Sequence, residues 1–554
     1  MRDIRLRRRA APLAALAAVA FAAGILTGAL TDSEAESAAR DFGDAWEQRD
    51  YGAMWRTLTP GDQDETTPQE FQAAYEEAMR TATGIRVETG DVREEGDGAS
   101  LEVAVETRIF GTVEERIQLP VSDGRIDWAP HLVFPGLSSG ISLSRTTSAP
   151  ARAKILARDG GTLVEGPASA RVSPLGTAGA EIAGVLAAPV TEEEQGALYA
   201  RGFEEDTPVG ASGLERILEE ELAGKPGGRL LAGTRLLAES EPQAAQPVRT
   251  TIDVGVQQAV ATALAGRFGG IAAIDARSAA IRGLAGIAFS APQPPGSTFK
   301  IITATAAFEE KLVTPRTEFP IETHAVIDGV ELENANGESC GGSFANSFAH
   351  SCNSVFAPLG VKIGAEKLVE TAERYGFNAD PGVAGAAPST LPAADEIASP
   401  LELGATAIGQ GRVLATPLLL ASMAQTVASS GTRRTPTVVR RGARPAPVRV
   451  TSREIARTLE RLMVGVVDYG TGTAASLAPI GVAGKTGTAE LEDTTDEEDD
   501  IEQTPGSDTD AWFTAYAPVK NPEIAVAVLL VRNGAGGETA APAARLVLQA
   551  ALAN

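Results

Sequence analysis

Three short stretches of this 554-residue chain set hydroxyl, amine and amide groups at spacings that could do chemistry. In Pro-Pro-Gly-Ser-Thr-Phe-Lys-Ile-Ile, residues 294 to 302, Ser297 stands three before Lys300, one of only eight lysines in a chain that otherwise carries positive charge on arginine. Residues three apart share a helix face, so Lys300 would project beside the Ser297 hydroxyl. An amine partly desolvated among Ile301, Ile302, Ala304 and Phe308 has its pKa lowered toward that of a useful base. A free hydroxyl is a poor nucleophile without such a partner, and His131, His324 and His350 offer no obvious Ser-His-acid arrangement. By itself Ser297 could simply cap the helix.

The second stretch is Ser351-Cys352-Asn353, between Phe348-Ala-His and Ser354-Val-Phe-Ala-Pro. The third is Gly484-Lys485-Thr486-Gly487-Thr488. Taken singly, the second reads as a turn or helix cap and the third as an ordinary strand start. Each occurs once, in this order. The elements that must hold them are legible. Gly296 suits a sharp turn, Thr298 to Lys311 has the apolar spacing of a buried helix, and the residues from Gly484 have an extended, strand-like character.

Further out, Ser33 to Arg80 has apolar residues at helical spacing (Phe42, Trp46, Tyr51, Met54, Trp55, Phe71, Tyr75, Met79), and Thr-Pro-Gly-Asp at 59–62 predicts a break into two helices. Residues 85–133 change period. Alternation in Leu101-Glu-Val-Ala-Val-Glu-Thr and Glu115-Arg-Ile-Gln-Leu-Pro-Val predicts antiparallel strands with one wet face, hence a small α+β domain. From Pro150 to about Thr250 no period dominates, and one helix is predicted over Gly213 to Leu222, stopped at Gly224. Glu239 to Pro247 reads as exposed coil, after which helical and strand patterns alternate to the end.

The chain opens with five arginines against one aspartate in residues 1–9, followed by 21 residues without a charge, Ala10 to Leu30. That run is long enough to cross a hydrocarbon layer about 30 Å thick. An uncleaved signal-anchor is the favoured reading, with a removable signal peptide as the alternative, and everything after Thr31 is expected on the extracytoplasmic side. The net charge of -25 argues against nucleic-acid binding. Nine of the thirteen residues Glu490 to Glu502 are acidic, which fits a solvated loop better than a cation site, because the ligand spacing of a calcium loop is missing. No metal or cofactor is called for. The two cysteines, Cys340 and Cys352, could close a small loop or remain buried thiols.

Together, Ser-x-x-Lys, Ser-x-Asn and Lys-Thr-Gly form the signature set of penicillin-binding and serine β-lactamase sites. Thr251-Ile-Asp, Gly409-Gln-Gly and Asp510-Ala-Trp-Phe extend the likeness. The chain resembles a class B penicillin-binding protein, a peptidoglycan D,D-transpeptidase, with an N-terminal domain similar to that of methicillin-resistance-type members.

The resemblance implies four parts: a basic tail and anchor at 1–31, a nuclear-transport-factor-like cone at 32–145, a pedestal or "dimer" domain at 146–246, and at 247–554 a transpeptidase domain with a central antiparallel sheet and flanking helices. It implies Ser297 as nucleophile, Lys300 as base, Ser351 as proton relay, and Asn353 as holder of Lys300 and the substrate amide. Lys485, Thr486 and Thr488 would face the substrate carboxylate, with Gly487 allowing close approach. The oxyanion would rest on the backbone N–H groups of Ser297 and Thr488. The implied partners are stem peptides ending in D-Ala-D-Ala, β-lactams, the cytoplasmic membrane and a membrane glycosyltransferase. The alternatives are a D,D-carboxypeptidase or β-lactamase, which needs a group to activate water that the sequence does not identify, with Asp395 and Glu396 left open, and a non-catalytic scaffold or β-lactam sensor.

Overall fold

The computed structural model describes residues 33–439, 445–490 and 509–553. The predicted anchor and all of the acidic run beyond Glu490 lie outside them. Among the described residues, no helix is long and apolar enough to cross a membrane. The chain forms two compact units. One holds the residues up to Ala149 with Thr191–Glu205 and Pro226–Pro242, and the other holds Pro150–Val190, Asp206–Lys225 and Gln243 onward. The segment predicted as a pedestal is therefore shared between the two.

In the first unit, residues 34–81 form four helices rather than the expected two: α1 (Glu34–Glu47), α2 (Tyr51–Arg56), α3 (Pro60–Glu65) and α4 (Pro68–Thr81). The extra breaks come from side-chain caps. Asp50 accepts from the Ala53 N–H, and Thr67 with Glu70 closes a capping box in front of Pro68. The helices pack on an antiparallel sheet of β1 (Gly84–Glu95), β2 (Gly98–Thr107), β3 (Gly111–Ser122) and β4 (Arg125–Ile126), in that order. Along β2, Leu101, Val103 and Val105 are buried while Glu102 and Glu106 are exposed, the period-two pattern of a half-wet strand. Trp46, Phe42, Phe71 and Tyr75 fill the space between helices and sheet. A three-stranded sheet of β5 (Leu143–Ser148), β6 (Gly227–Ala232) and β7 (Arg235–Ser240), with β6 central, completes the unit.

The second unit is built on a five-stranded antiparallel sheet. Its strands are β8 (Gly269–Asp275), β9 (Ile281–Gly286), β10 (Ala483–Glu490), β11 (Thr509–Ala517) and β12 (Ile524–Leu530), in the spatial order β9-β8-β12-β11-β10. Every residue of Ile-Ala-Val-Ala-Val-Leu-Leu in β12 is buried. Alternate side chains enter different cores: Val526 and Val528 pack with the helices at 254–264 and 541–552, while Ala525, Ala527 and Leu529 join the larger core containing helix 417–428. A strand covered on both faces reads as a continuous apolar run for this reason.

The helix expected over 213–222 is broken at Leu218 into Gly213–Ile217 and Glu219–Leu222. Two inward carboxylates accompany the break. Glu215 takes hydrogen bonds from Arg152 (2.7 Å) and Arg171 (2.6 Å), and Glu219 takes them from Arg152 (2.7 Å) and the Gly210 N–H (2.7 Å).

Candidate active site

Ser297 lies in a 3-10 turn, Gly296–Phe299, that runs straight into helix α5 (Lys300–Glu309). The tighter 3.0-residue winding stacks position 300 over position 297. Gly296 has φ of +51°, and a Cβ there would lie 2.5 Å from the Thr488 carbonyl oxygen. Glycine is thus what lets the turn press against β10. The turn is pinned on both sides, with the Gly296 N–H donating to Gly409 O (2.9 Å) and Trp512 Nε1 donating to Pro294 O (2.8 Å).

Lys300 is fully buried. Its Nζ donates to Ser351 O (2.7 Å), Asn353 Oδ1 (2.6 Å) and Ser351 Oγ (3.3 Å). Among the described residues, no hydrogen bond joins it to the Ser297 hydroxyl. Burial, and then the charge of Lys485, hold its pKa well below the usual lysine range. Lys485 is also fully buried and donates to Ser351 Oγ (2.9 Å) and Thr486 O (3.0 Å). Burial brings its pKa down to about 7. Neither amine has a carboxylate partner among the described residues, so one serine hydroxyl is shared by two desolvated amines.

Ser351 follows helix α6 (Phe344–Ala349) with φ of +63°, a conformation few non-glycine residues adopt. The surroundings enforce it. The Cys352 N–H returns to Ser347 O (2.9 Å), and Cys352 is disulfide-bonded to Cys340, with Cα atoms 5.4 Å apart. The open choice between a closed loop and two thiols is settled as a disulfide. Asn353 begins helix α7 (Asn353–Ile363), and its amide donates to Glu333 O (2.7 Å), which turns its oxygen toward Lys300.

Thr486 and Thr488 share one face of β10, and Lys485 and Gly487 the other. A Cβ on Gly487 would lie 2.7 Å from Pro295 O and 2.9 Å from the Trp512 Cβ, so the strand can approach the Ser297 turn only as glycine. The Gly536 N–H points at Thr488 Oγ1 at 3.5 Å, and Thr471 Oγ1 lies 2.5 Å from Thr486 Oγ1.

Five of the eight sequence-predicted residues, Lys300, Ser351, Asn353, Lys485 and Thr486, are thus tied together by this network, with Ser297 placed beside it by its turn and Gly487 and Thr488 by strand β10. Sequence reasoning missed Thr471 and Asn334, whose Oδ1 accepts from the Ser354 N–H at 2.8 Å. The glycines of Tyr469-Gly-Thr-Gly-Thr were the available signal for the first. Asp395 and Glu396 are exposed, and Glu396 accepts from the Ala393 N–H within its own turn. Among the described residues, no group of three or more His, Cys, Asp or Glu could hold a metal.

A serine on a helix-leading turn, a lysine one turn on and a second lysine on the edge strand of an antiparallel sheet come together in the second unit. Residues 266–549 match the family model for the penicillin binding protein transpeptidase domain, and the chain belongs to that family. Residues 163–234 match the penicillin-binding protein dimerisation domain, and 34–140 the NTF2-like N-terminal transpeptidase domain.

Among relatives, the peptidoglycan D,D-transpeptidase PbpA of Mycobacterium tuberculosis is 35% identical over 299 residues, 48% of this chain and 56% of that protein. Stage V sporulation protein D of Bacillus subtilis is 32% identical over 212 residues, 35% of this chain and 32% of that protein. The chain spans about half the length of the PbpA relatives it matches. Penicillin-binding protein A from M. tuberculosis, solved as its penicillin G acyl-enzyme complex, superposes with a TM-score of 0.57 at 27% identity, covering 73% of this chain and 100% of that one. The D,D-transpeptidase domain from Eggerthella lenta gives 0.58 at 26% identity, covering 73% and 98%.

Proposed function

We propose that this chain is a peptidoglycan D,D-transpeptidase working through a Ser297 acyl-enzyme and acylated covalently by β-lactams. The observation that carries the reading is the pair of buried amines, Lys300 and Lys485, meeting at the Ser351 hydroxyl beside the Ser297 turn. With its pKa lowered, neutral Lys300 takes the Ser297 proton as Oγ attacks the penultimate D-Ala carbonyl. The Ser297 and Thr488 N–H groups receive the oxyanion, such donors contributing roughly 3 kcal/mol each. As the intermediate collapses, the C–N bond to terminal D-Ala breaks. The leaving nitrogen takes a proton from Ser351, which is resupplied from the lysine pair. Lys485, Thr486 and Thr488 hold the departing carboxylate. An amine of a neighbouring stem then attacks the ester, forming the cross-link and restoring Ser297.

The family resemblance and the charge pattern of residues 1–30 support the finer parts of this reading: a single-pass membrane anchor, an extracytoplasmic catalytic region, domain boundaries at 31, 145 and 246, and a membrane glycosyltransferase as partner. Intact-mass spectrometry of the full chain and of Ser297→Ala, each mixed with benzylpenicillin and followed for hours, tests the chemistry. One long-lived adduct on the wild type alone is expected. Rapid adduct loss with penicilloate accumulating would favour the hydrolase, and no adduct on either protein would leave the scaffold or sensor.

A further inference from the structure

The loop between helix α8 (Arg453–Asp468) and β10 reaches the cleft at Thr471. Helix α8 ends with the Gly470 N–H on Gly465 O (3.0 Å) and the Gly472 N–H on Val466 O (2.9 Å), which sets Thr471 between them. Its backbone N–H donates to Ala349 O at 3.1 Å, two residues before Ser351. On either side the fit is tight: a Cβ on Gly470 would lie 2.3 Å from Ala349 O, and one on Gly537 would lie 2.2 Å from Thr471 O. Thr471 is therefore clamped between the Ser351 turn and the loop after β12.

Its hydroxyl has two acceptors in view, Thr486 Oγ1 at 2.5 Å and Ala349 O at 3.4 Å. One proton can serve only one of them, and the 3.4 Å contact is near the limit at which a hydrogen bond has value. We propose that Thr471 is a positioning residue, donating its proton to Thr486 so that the Thr486 hydroxyl is left to donate into the cleft, toward the carboxylate of the substrate or β-lactam. In the opposite orientation Thr486 would spend its proton on Thr471 and present only lone pairs to an anion. A donor chain of this kind also polarises its terminal hydroxyl, and donation to a charged acceptor is the stronger class of hydrogen bond. Thr486 is 5% exposed, so little water competes for its proton.

The inference rests on the acyl-transfer reading above. Its test is the acylation rate constant of the full chain with benzylpenicillin, which carries the carboxylate, against that with its methyl ester, which does not. Thr471→Ala is expected to reduce the acid-to-ester ratio of rate constants about tenfold, and Thr471→Ser to restore it. In a Thr486→Ala background, Thr471→Ala should change the ratio no further. If Thr471→Ala slows both probes by one factor, the loop is merely structural and the inference falls. An unchanged ratio with unchanged rates overturns it equally. Absence of a Ser297 adduct on the wild-type chain with either probe would instead sink the acyl-transfer reading, and this inference with it.

Discussion

Two lysines with lowered pKa values and one shared hydroxyl set the pH behaviour of the site. In the proposed mechanism acylation needs Lys300 without its proton, and that fraction grows as pH rises through its lowered pKa. It also needs Lys485 with its proton, and that fraction shrinks as pH rises through about 7. The acylation rate constant should therefore follow a bell with its falling limb near pH 7, well below the limb an ordinary lysine would give. Lys485→Arg, which keeps its charge at every accessible pH, should carry that limb beyond pH 9. Stopped-flow acylation from pH 5 to 10 measures both, and a wild-type rate still climbing at pH 9 would remove Lys485 from the carboxylate-binding role. The residue types were legible because Ser-x-x-Lys and Lys-Thr-Gly are local patterns. That Lys300 hydrogen-bonds Ser351, 51 residues away, and not Ser297, was not legible.

Among the elements, the segment from Cys340 to Cys352 bears most on the site. It carries strand Cys340–Ser343, helix α6 and the left-handed Ser351, and the disulfide closes it at a sequence separation of 12. Closing a loop of that size contributes roughly 2 to 3 kcal/mol, mainly by restricting the unfolded chain. The double variant Cys340→Ala/Cys352→Ala should melt about 2 to 6 °C lower, at roughly 1 to 2 °C per kcal/mol for a unit of this size. It should also acylate more slowly, since Ser351 loses part of what holds its φ. Thermal melts with and without reductant check this, and a wild-type melting point indifferent to reductant would count against a structural disulfide. Helix existence was legible from periodicity. The extra breaks in 34–81 were not legible from it, although the Asp50 and Thr67 caps that make them are visible as residue types, because apolar spacing alone does not say which cap wins.

Across the whole molecule, the two compact units have separate cores, and every residue of the site lies in the second. Truncating the buried Trp46 ring in the first unit, by Trp46→Ala, should destabilise that unit by about 3 to 5 kcal/mol. The Ser297 acylation rate at 25 °C should stay within a factor of about two. Limited proteolysis reports the first effect and adduct formation the second, and a large fall in acylation would mean that the site depends on the first unit. The split of residues 146–246 between the units had no signature in composition, since long-range pairing such as β5 with β6 is set by contacts some 80 residues apart.

By itself the sequence determined the chemistry and the class of architecture. Hydroxyl, amine and amide groups at fixed local spacings, and apolar periods of two and 3.6, are properties of neighbouring residues and survive without a fold. Tertiary structure decided what those groups do to one another. Packing removed water from Lys300 and Lys485 and so lowered both pKa values, brought Lys485 to Ser351 across 134 residues, joined the cysteines, and set Thr471 on Thr486. Desolvation and hydrogen-bond partnership depend on which distant atoms share a buried space, and no local pattern encodes that.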